Sequence, residues 1–171
     1  MRAVQTTFWS RRIEHGGETR RGKRKEARPV ATKSALHVTL RAERARGKWS
    51  LLTKQNAEFI RQRLAKASRE WRVKVYEFAN SGTHLHLLLK AETREGFANF
   101  LRVLGAQVAT YVTGARRGNA LGFRFWDLPA WSRLVETDFL VVRAYIIQNR
   151  LEAMGLIPYT PRGKKLRSAS G

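Results

Sequence analysis

Hydrophobic positions recur along this chain with two periods, near two and near three and a half, and the switches between them outline a fold. Leu36, Val38 and Leu40 alternate with His37, Thr39 and Arg41, the pattern of a strand with one buried face. Residues 54 to 69 place Ala57, Phe59, Ile60, Leu64 and Ala67 at approximately helical spacing among Arg and Lys, which predicts a helix. Val73 to Phe78 alternates again, and His84-Leu85-His86-Leu87-Leu88-Leu89 follows the turn-forming Asn80-Ser81-Gly82, so these two segments are expected to pair as a hairpin. From about Arg94 to Thr113 the positions Phe97, Phe100, Leu101, Leu104, Val108, Ala109 and Val112 predict a second helix. Residues 114 to 122 read as loop, and an aromatic stretch from Phe123 to Trp131 leads into a last helix, about Asp138 to Met154, closed by Gly155. The order β-α-β-β-α with a further helix predicts an α+β fold, with helices packed on one face of an antiparallel sheet.

Nearly all of this periodicity lies in residues 34–157 of the 171, so a single domain is expected there. Residues 1–33 read as a flexible basic arm: Arg11, Arg12, Arg20, Arg21, Lys23, Arg24, Lys25 and Arg28 stand among almost no large apolar residues. Residues 158–171 read as a basic tail, with Arg162, Lys164, Lys165 and Arg167. The chain carries 34 Lys and Arg against 13 Asp and Glu, a formal net charge of +21, which makes an anionic polymer or surface the first partner to consider. Hydrophobic residues at 43% and aromatics at 10% are too many for a wholly disordered basic protein. The absence of cysteine removes disulfide scaffolds, thiolate zinc sites and thiol nucleophiles. No apolar run approaches the roughly 18 residues of a membrane span, and no secretory leader is apparent. A cytosolic protein facing nucleic acid is expected.

Two places carry candidate chemistry. In His84-Leu85-His86 alternate side chains share a face of the strand, so both imidazoles project together while Leu85, Leu87 and Leu89 face the other way. Two imidazoles so placed can chelate one metal ion. The spacing alone leaves a plainer reading open, in which one histidine caps a turn and the other is a partly buried polar residue. On the last helix, at about 100° per residue, Asp138, Val141, Tyr145, Gln148, Asn149 and Glu152 fall in one stripe, opposite Leu140, Ala144, Ile147, Leu151 and Met154. Tyr145 is therefore on a polar face, with the amide oxygen of Asn149 one turn later. A phenol, with a pKa near 10, is a poor nucleophile at neutral pH, and a metal that polarises a phosphodiester lowers the barrier from the electrophile's side.

The strand Gly82-Thr83-His84-Leu85-His86-Leu87-Leu88-Leu89, the Phe125-Trp126 segment and the helix Tyr145-Ile146-Ile147-Gln148-Asn149 together resemble the HUH single-tyrosine transposases, most closely the REP-associated tyrosine transposases. The resemblance spans about residues 34–157. It implies a ferredoxin-like, RRM-like antiparallel core with a C-terminal tyrosine-bearing helix. It also implies His84 and His86 as ligands of Mg²⁺ or Mn²⁺, Tyr145 as the residue that attacks DNA, and Asn149 as the ligand completing the metal site, with Gln148 as the alternative. The implied activity is single-strand endonuclease and strand transfer at hairpin-forming DNA through a 5′-phosphotyrosine, in a cytoplasmic protein associated with a prokaryotic nucleoid. Related transposases include monomers and homodimers. The turn Asn80-Ser81-Gly82-Thr83 and the pair Asn149-Arg150 depart from the family's usual segments, which bears on the DNA target more than on the chemistry.

Arg116, Arg117, Arg124 and Arg133 flank Phe123, Phe125, Trp126 and Trp131, and basic groups interleaved with aromatics suit single strands. The aromatics serve equally well to close the core under the last helix. The run from Arg20 to Arg28 is expected to bind phosphate without reading bases. A different class of function, a basic nucleic-acid-binding module whose catalytic site is unused, fits the same composition. Each imidazole must be neutral to ligate, so activity is expected to fall as pH drops through about 6.5.

Overall fold

The computed structural model describes residues 13–20, 22 and 28–161, with only the backbone at 19 and 20. Arg21, Lys23, Arg24 and Lys25, the side chain of Arg20 and the tail residues Arg162, Lys164, Lys165 and Arg167 lie outside the described residues. Strand β1 (Glu14–His15) is followed by β2 (Ala35–Arg41), helix α1 (Lys54–Glu70), β3 (Val73–Asn80), β4 (His84–Ala91), α2 (Arg94–Thr113), β5 (Trp131–Val135) and α3 (Phe139–Ala153). The strands form one antiparallel sheet in the order β1-β5-β2-β4-β3.

The first two helices start where a threonine can satisfy an orphan amide. Thr53 accepts from the Asn56 N–H, and Thr93 from the Gly96 N–H at 2.9 Å. Helix α2 stops at Gly114, whose φ of 70° closes it in the left-handed conformation. Their apolar stripes cover one face of the sheet. Leu36, Val38, Leu40, Leu85, Leu87 and Leu89 are packed there against Ile60, Phe97, Phe100 and Leu104, which places the main core between that face and α1 and α2.

The opposite face is covered by α3. Ala35, Ala79, Leu88 and Val135 pack against Val142 and Ile146, and the helix is turned differently from the sequence expectation. Leu140, Val141 and Met154 are exposed, at 74%, 70% and 63%, whereas Val142, Ile146 and Asn149 are buried. The reason is tertiary. A bulge between Val75 and Glu77 lets two successive residues of β3 reach toward α3. Tyr76 meets the Phe139 ring at 5.2 Å, and the buried Glu77 accepts from Arg143 Nε at 3.4 Å and Arg150 Nη1 at 2.5 Å. These two arginines set the rotation of a helix that is apolar on more than one side. Because both are half exposed, Glu77→Ala is expected to cost only about 1–2 kcal/mol, read as a lower urea midpoint with an unchanged slope.

Two segments depart from expectation. Trp131–Val135 is a strand rather than a continuation of the aromatic loop, because it finds β2 on one side and β1 on the other. The expected arm is not free throughout: Glu14–His15 pairs with Ser132 and Arg133, and Gly16, at φ 83°, passes so close to the Ala130 carbonyl that a Cβ would lie 2.1 Å from its oxygen. Arg28, expected to meet nucleic-acid phosphate, instead donates to Ser132 Oγ and the Ala130 carbonyl, both at 2.6 Å, and to the His15 carbonyl at 3.4 Å. Its guanidinium ties the N-terminal segment to the sheet edge. Among the described residues, no helix is long and apolar enough to cross a membrane.

Candidate active site

On the α3 side of the sheet, β2 and β4 set their polar residues side by side. His84 lies opposite Arg41, and His86 opposite Thr39. The imidazoles of His84 and His86 are nearly parallel, 8° apart, with centroids 6.0 Å from one another. Each has its Nδ1 against a hydroxyl: His84 with Thr83 Oγ1 at 2.8 Å, and His86 with Thr39 Oγ1 at 3.2 Å. When Nδ1–H donates to the threonine oxygen, Nε2 is the nitrogen each ring offers to a metal, and the hydroxyl fixes tautomer and orientation together. The donor set fits a divalent ion of the softer kind better than Mg²⁺, which favours oxygen.

Tyr145 comes to the same place from α3. Its ring stands perpendicular to the His86 ring, with centroids 5.8 Å apart. On its other side is His37, at 5.9 Å and 68°. All four rings border a cleft of about 700 Å³, whose walls include Arg41, Asp127, Trp131, Arg133 and Asp138. The charges in those walls are internally matched. Arg133 Nη1 donates to Asp138 at 2.8 Å, Arg41 pairs with Glu43, and Arg41 Nε lies 3.6 Å from Asp127.

Burial lowers the pKa of His84 below its ordinary 6.5; Arg41 adds to this, while Asp127 and Glu43 oppose it. Its imidazole therefore stays neutral, the form a metal ligand would need, to a lower pH than an unperturbed histidine. His37 is pushed down to about 4, first by burial and then by Arg133, with Asp138 opposing. The unfolded chain binds a proton near pH 6.5 that the fold resists until about pH 4, so this contribution is intact above pH 6.5 and about 3 kcal/mol is lost across the window. Urea titrations at pH 7 and 4.5 should show a smaller drop in His37→Phe than in the native protein. Arg133, Asp138, His86 and Tyr145 are the ionisable groups facing that ring.

No family model and no curated relative matches the sequence. Among solved structures, a REP-associated tyrosine transposase bound to a REP hairpin superposes with a TM-score of 0.58 at 18% identity, over 78% of this chain and 76% of that one. The chain has the fold of a REP-associated tyrosine transposase. A candidate transposase from Deinococcus radiodurans is a more distant neighbour, with a TM-score of 0.46 at 16% identity, over 74% of this chain and 98% of that one.

Within this transposase fold the other expected site residues are placed unequally. Asn149 does not border the cleft: it is buried, and its Nδ2 donates to the Tyr145 carbonyl of its own helix at 2.6 Å. Gln148 is also engaged along the helix, donating to Glu152 at 2.8 Å. The side chain expected to complete a metal site is thus buried beneath the cleft's border residues, with its amide N–H turned to its own helix. Arg116, Arg117 and Arg124 are exposed on the segment between α2 and β5. The aromatics around Arg124 divide. Phe125 is in the core and Trp126 donates its indole N–H to the Gly105 carbonyl at 2.9 Å, whereas Phe123 lies 5.9 Å from Trp49 with Arg44 stacked over it at 4.3 Å. Trp131 borders the cleft.

His37 and Thr39 were not among the expected site residues. The signal was present in the alternation of residues 36 to 41, which puts His37, Thr39 and Arg41 on one polar face, but only the pairing of β2 with β4 sets that face beside His84 and His86.

Proposed function

We propose that this chain is a divalent-metal-dependent single-strand DNA endonuclease and strand transferase, acting at hairpin-forming DNA through a 5′-phosphotyrosine on Tyr145. The observation that carries this reading is the pair of parallel imidazoles, His84 and His86, each with Nδ1 against a threonine hydroxyl, beside the Tyr145 ring in one cleft. The net charge of +21 suits a polyanionic substrate. In this reading His84 and His86 hold Mn²⁺ or Mg²⁺ through Nε2, and Thr39 and Thr83 keep the two rings aimed. The ion, when bound, polarises the scissile phosphodiester and stabilises the departing oxygen. Tyr145 supplies the bond-forming oxygen: its P–O bond forms, the bond to the 3′ oxygen breaks, the phenolic proton leaves to solvent and the 3′ oxygen ends as a hydroxyl. The phosphotyrosine preserves the phosphodiester energy, so a 3′ hydroxyl can later displace Tyr145 and rejoin the strand without ATP. Asn149 is the proposed further ligand; its Nδ2 donates to the Tyr145 carbonyl, and a ligand bond would use its Oδ1. Exposed Arg116, Arg117 and Arg124, together with the basic residues 20–25, are proposed phosphate contacts.

Labelled single-stranded hairpins incubated with the protein and Mn²⁺ or Mg²⁺, then run on a denaturing gel, should yield a covalent protein–DNA band. The net charge of +21 serves one competing reading equally well, a binding module whose catalytic site is unused. Retained hairpin affinity with no covalent band across a varied hairpin library would establish that reading instead.

A further inference from the structure

Among the described residues, His37 is the one imidazole bordering the cleft that the proposed reaction does not use. Its ring is 5.9 Å from Tyr145, 5.8 Å from His86 and 5.2 Å from Trp131, and the residue is only 7% exposed. Its Nε2 is sealed from solvent and has no hydrogen-bond partner. Buried polar atoms without a partner are rare in native folds, and each calls for a reason. Packing does not supply one, since an apolar ring would fill the same space without desolvating a nitrogen.

A third metal ligand does not fit either. His37 lies opposite Leu88, while His84 lies opposite Arg41, so the two histidines are four positions apart along the paired strands, about 13 Å. His37 is thus placed toward the nucleophile and away from the midpoint of the His84–His86 pair. Its ring is a direct neighbour of the Tyr145 ring, with centroids 5.9 Å apart and planes at 68°.

We infer that His37 is a positioning residue for Tyr145, its buried Nε2 accepting the phenolic O–H and holding the oxygen in line with a phosphate bound at His84 and His86. This inference rests on the reaction proposed above. The role needs a bare nitrogen acceptor and no change of protonation, which an imidazole carrying its proton on Nδ1 provides. Arg133, ion-paired with Asp138, is the cross-strand neighbour of His37 on β5.

Two variants and one spectrum test it. His37→Phe keeps a ring and removes the acceptor, whereas His37→Gln returns an acceptor without the ring. In single-turnover reactions at saturating hairpin DNA, His37→Phe should form the covalent species about 10²-fold more slowly, with hairpin Kd unchanged, and His37→Gln should recover part of the rate. The chain has four histidines, so ¹⁵N NMR of the imidazoles resolves the contact directly. In metal-free protein with the hairpin bound, Tyr145→Phe should move the His37 Nε2 resonance to the position of an unbonded acceptor. A His37→Phe rate equal to that of the native protein overturns the inference, as does an Nε2 resonance indifferent to Tyr145→Phe. Equal slowing in both His37 variants, with equal loss of stability, also overturns it in favour of a structural role. If the native protein forms no covalent species, the proposed reaction fails, and the NMR comparison still decides whether His37 bonds to the phenol.

Discussion

Tyr145→Phe should eliminate the covalent protein–DNA species and leave hairpin affinity within about twofold of the native value. The substitution removes one oxygen and keeps the ring that stands against His86 and His37, so the cleft wall and the packing of Val142 and Ile146 on the sheet are retained. A lost surface or cleft hydroxyl costs binding little, within about 0.5 kcal/mol, but without it no P–O bond to the protein can form. Denaturing electrophoresis reads the first effect, and equilibrium titration of labelled hairpin in EDTA reads the second. A covalent band persisting in this variant would move the nucleophile elsewhere, with Tyr76, Tyr111 and Tyr159 as the residues to test next.

His84→Ala and His86→Ala should each slow cleavage by about 10³-fold, since loss of Lewis-acid stabilisation is worth several kcal/mol and each 1.36 kcal/mol is tenfold in rate. Neither change should unfold the protein. Leu85, Leu87 and Leu89, all fully buried, carry the packing of β4 on the helical side, while the imidazoles face the cleft. The measurement pairs initial cleavage rates across a Mn²⁺ titration with a urea melt of each variant. Partial recovery at high Mn²⁺ is expected, because one remaining imidazole and the phosphate oxygens still offer a weak site. Equal loss of stability and activity would mark the histidines as structural instead.

The order of the main strands and helices was legible in the sequence because their periods differ and their ends are marked. Helix α2 runs from Arg94 to Thr113, as its apolar spacing predicts, between a threonine cap and a glycine stop. Helix α1 and the β3–β4 hairpin also fall within a residue or two of the expected limits. The alternation in His84-Leu85-His86 is enough to put both imidazoles on one side and the leucines on the other, because the pleat of a strand leaves no other arrangement. β1 and β5 were not legible, since two- and five-residue strands owe their state to the edge they complete rather than to their own pattern.

Periodicity states which side of an element is apolar, not which neighbour will cover it, and that difference separates what the sequence determined from what the tertiary structure decided. By itself the sequence determined a basic α+β chain with two histidines on one strand face and a tyrosine on the last helix. The rotation of α3 was decided by Glu77, raised toward it by the bulge in β3 and paired with Arg143 and Arg150. With that rotation Tyr145 stands against His86, while Asn149 Nδ2 donates to the Tyr145 carbonyl one turn back. The pairing of β2 with β4 likewise brought His37 and Thr39 to the site, because residues about 50 positions apart in the chain become neighbours only when strands choose partners.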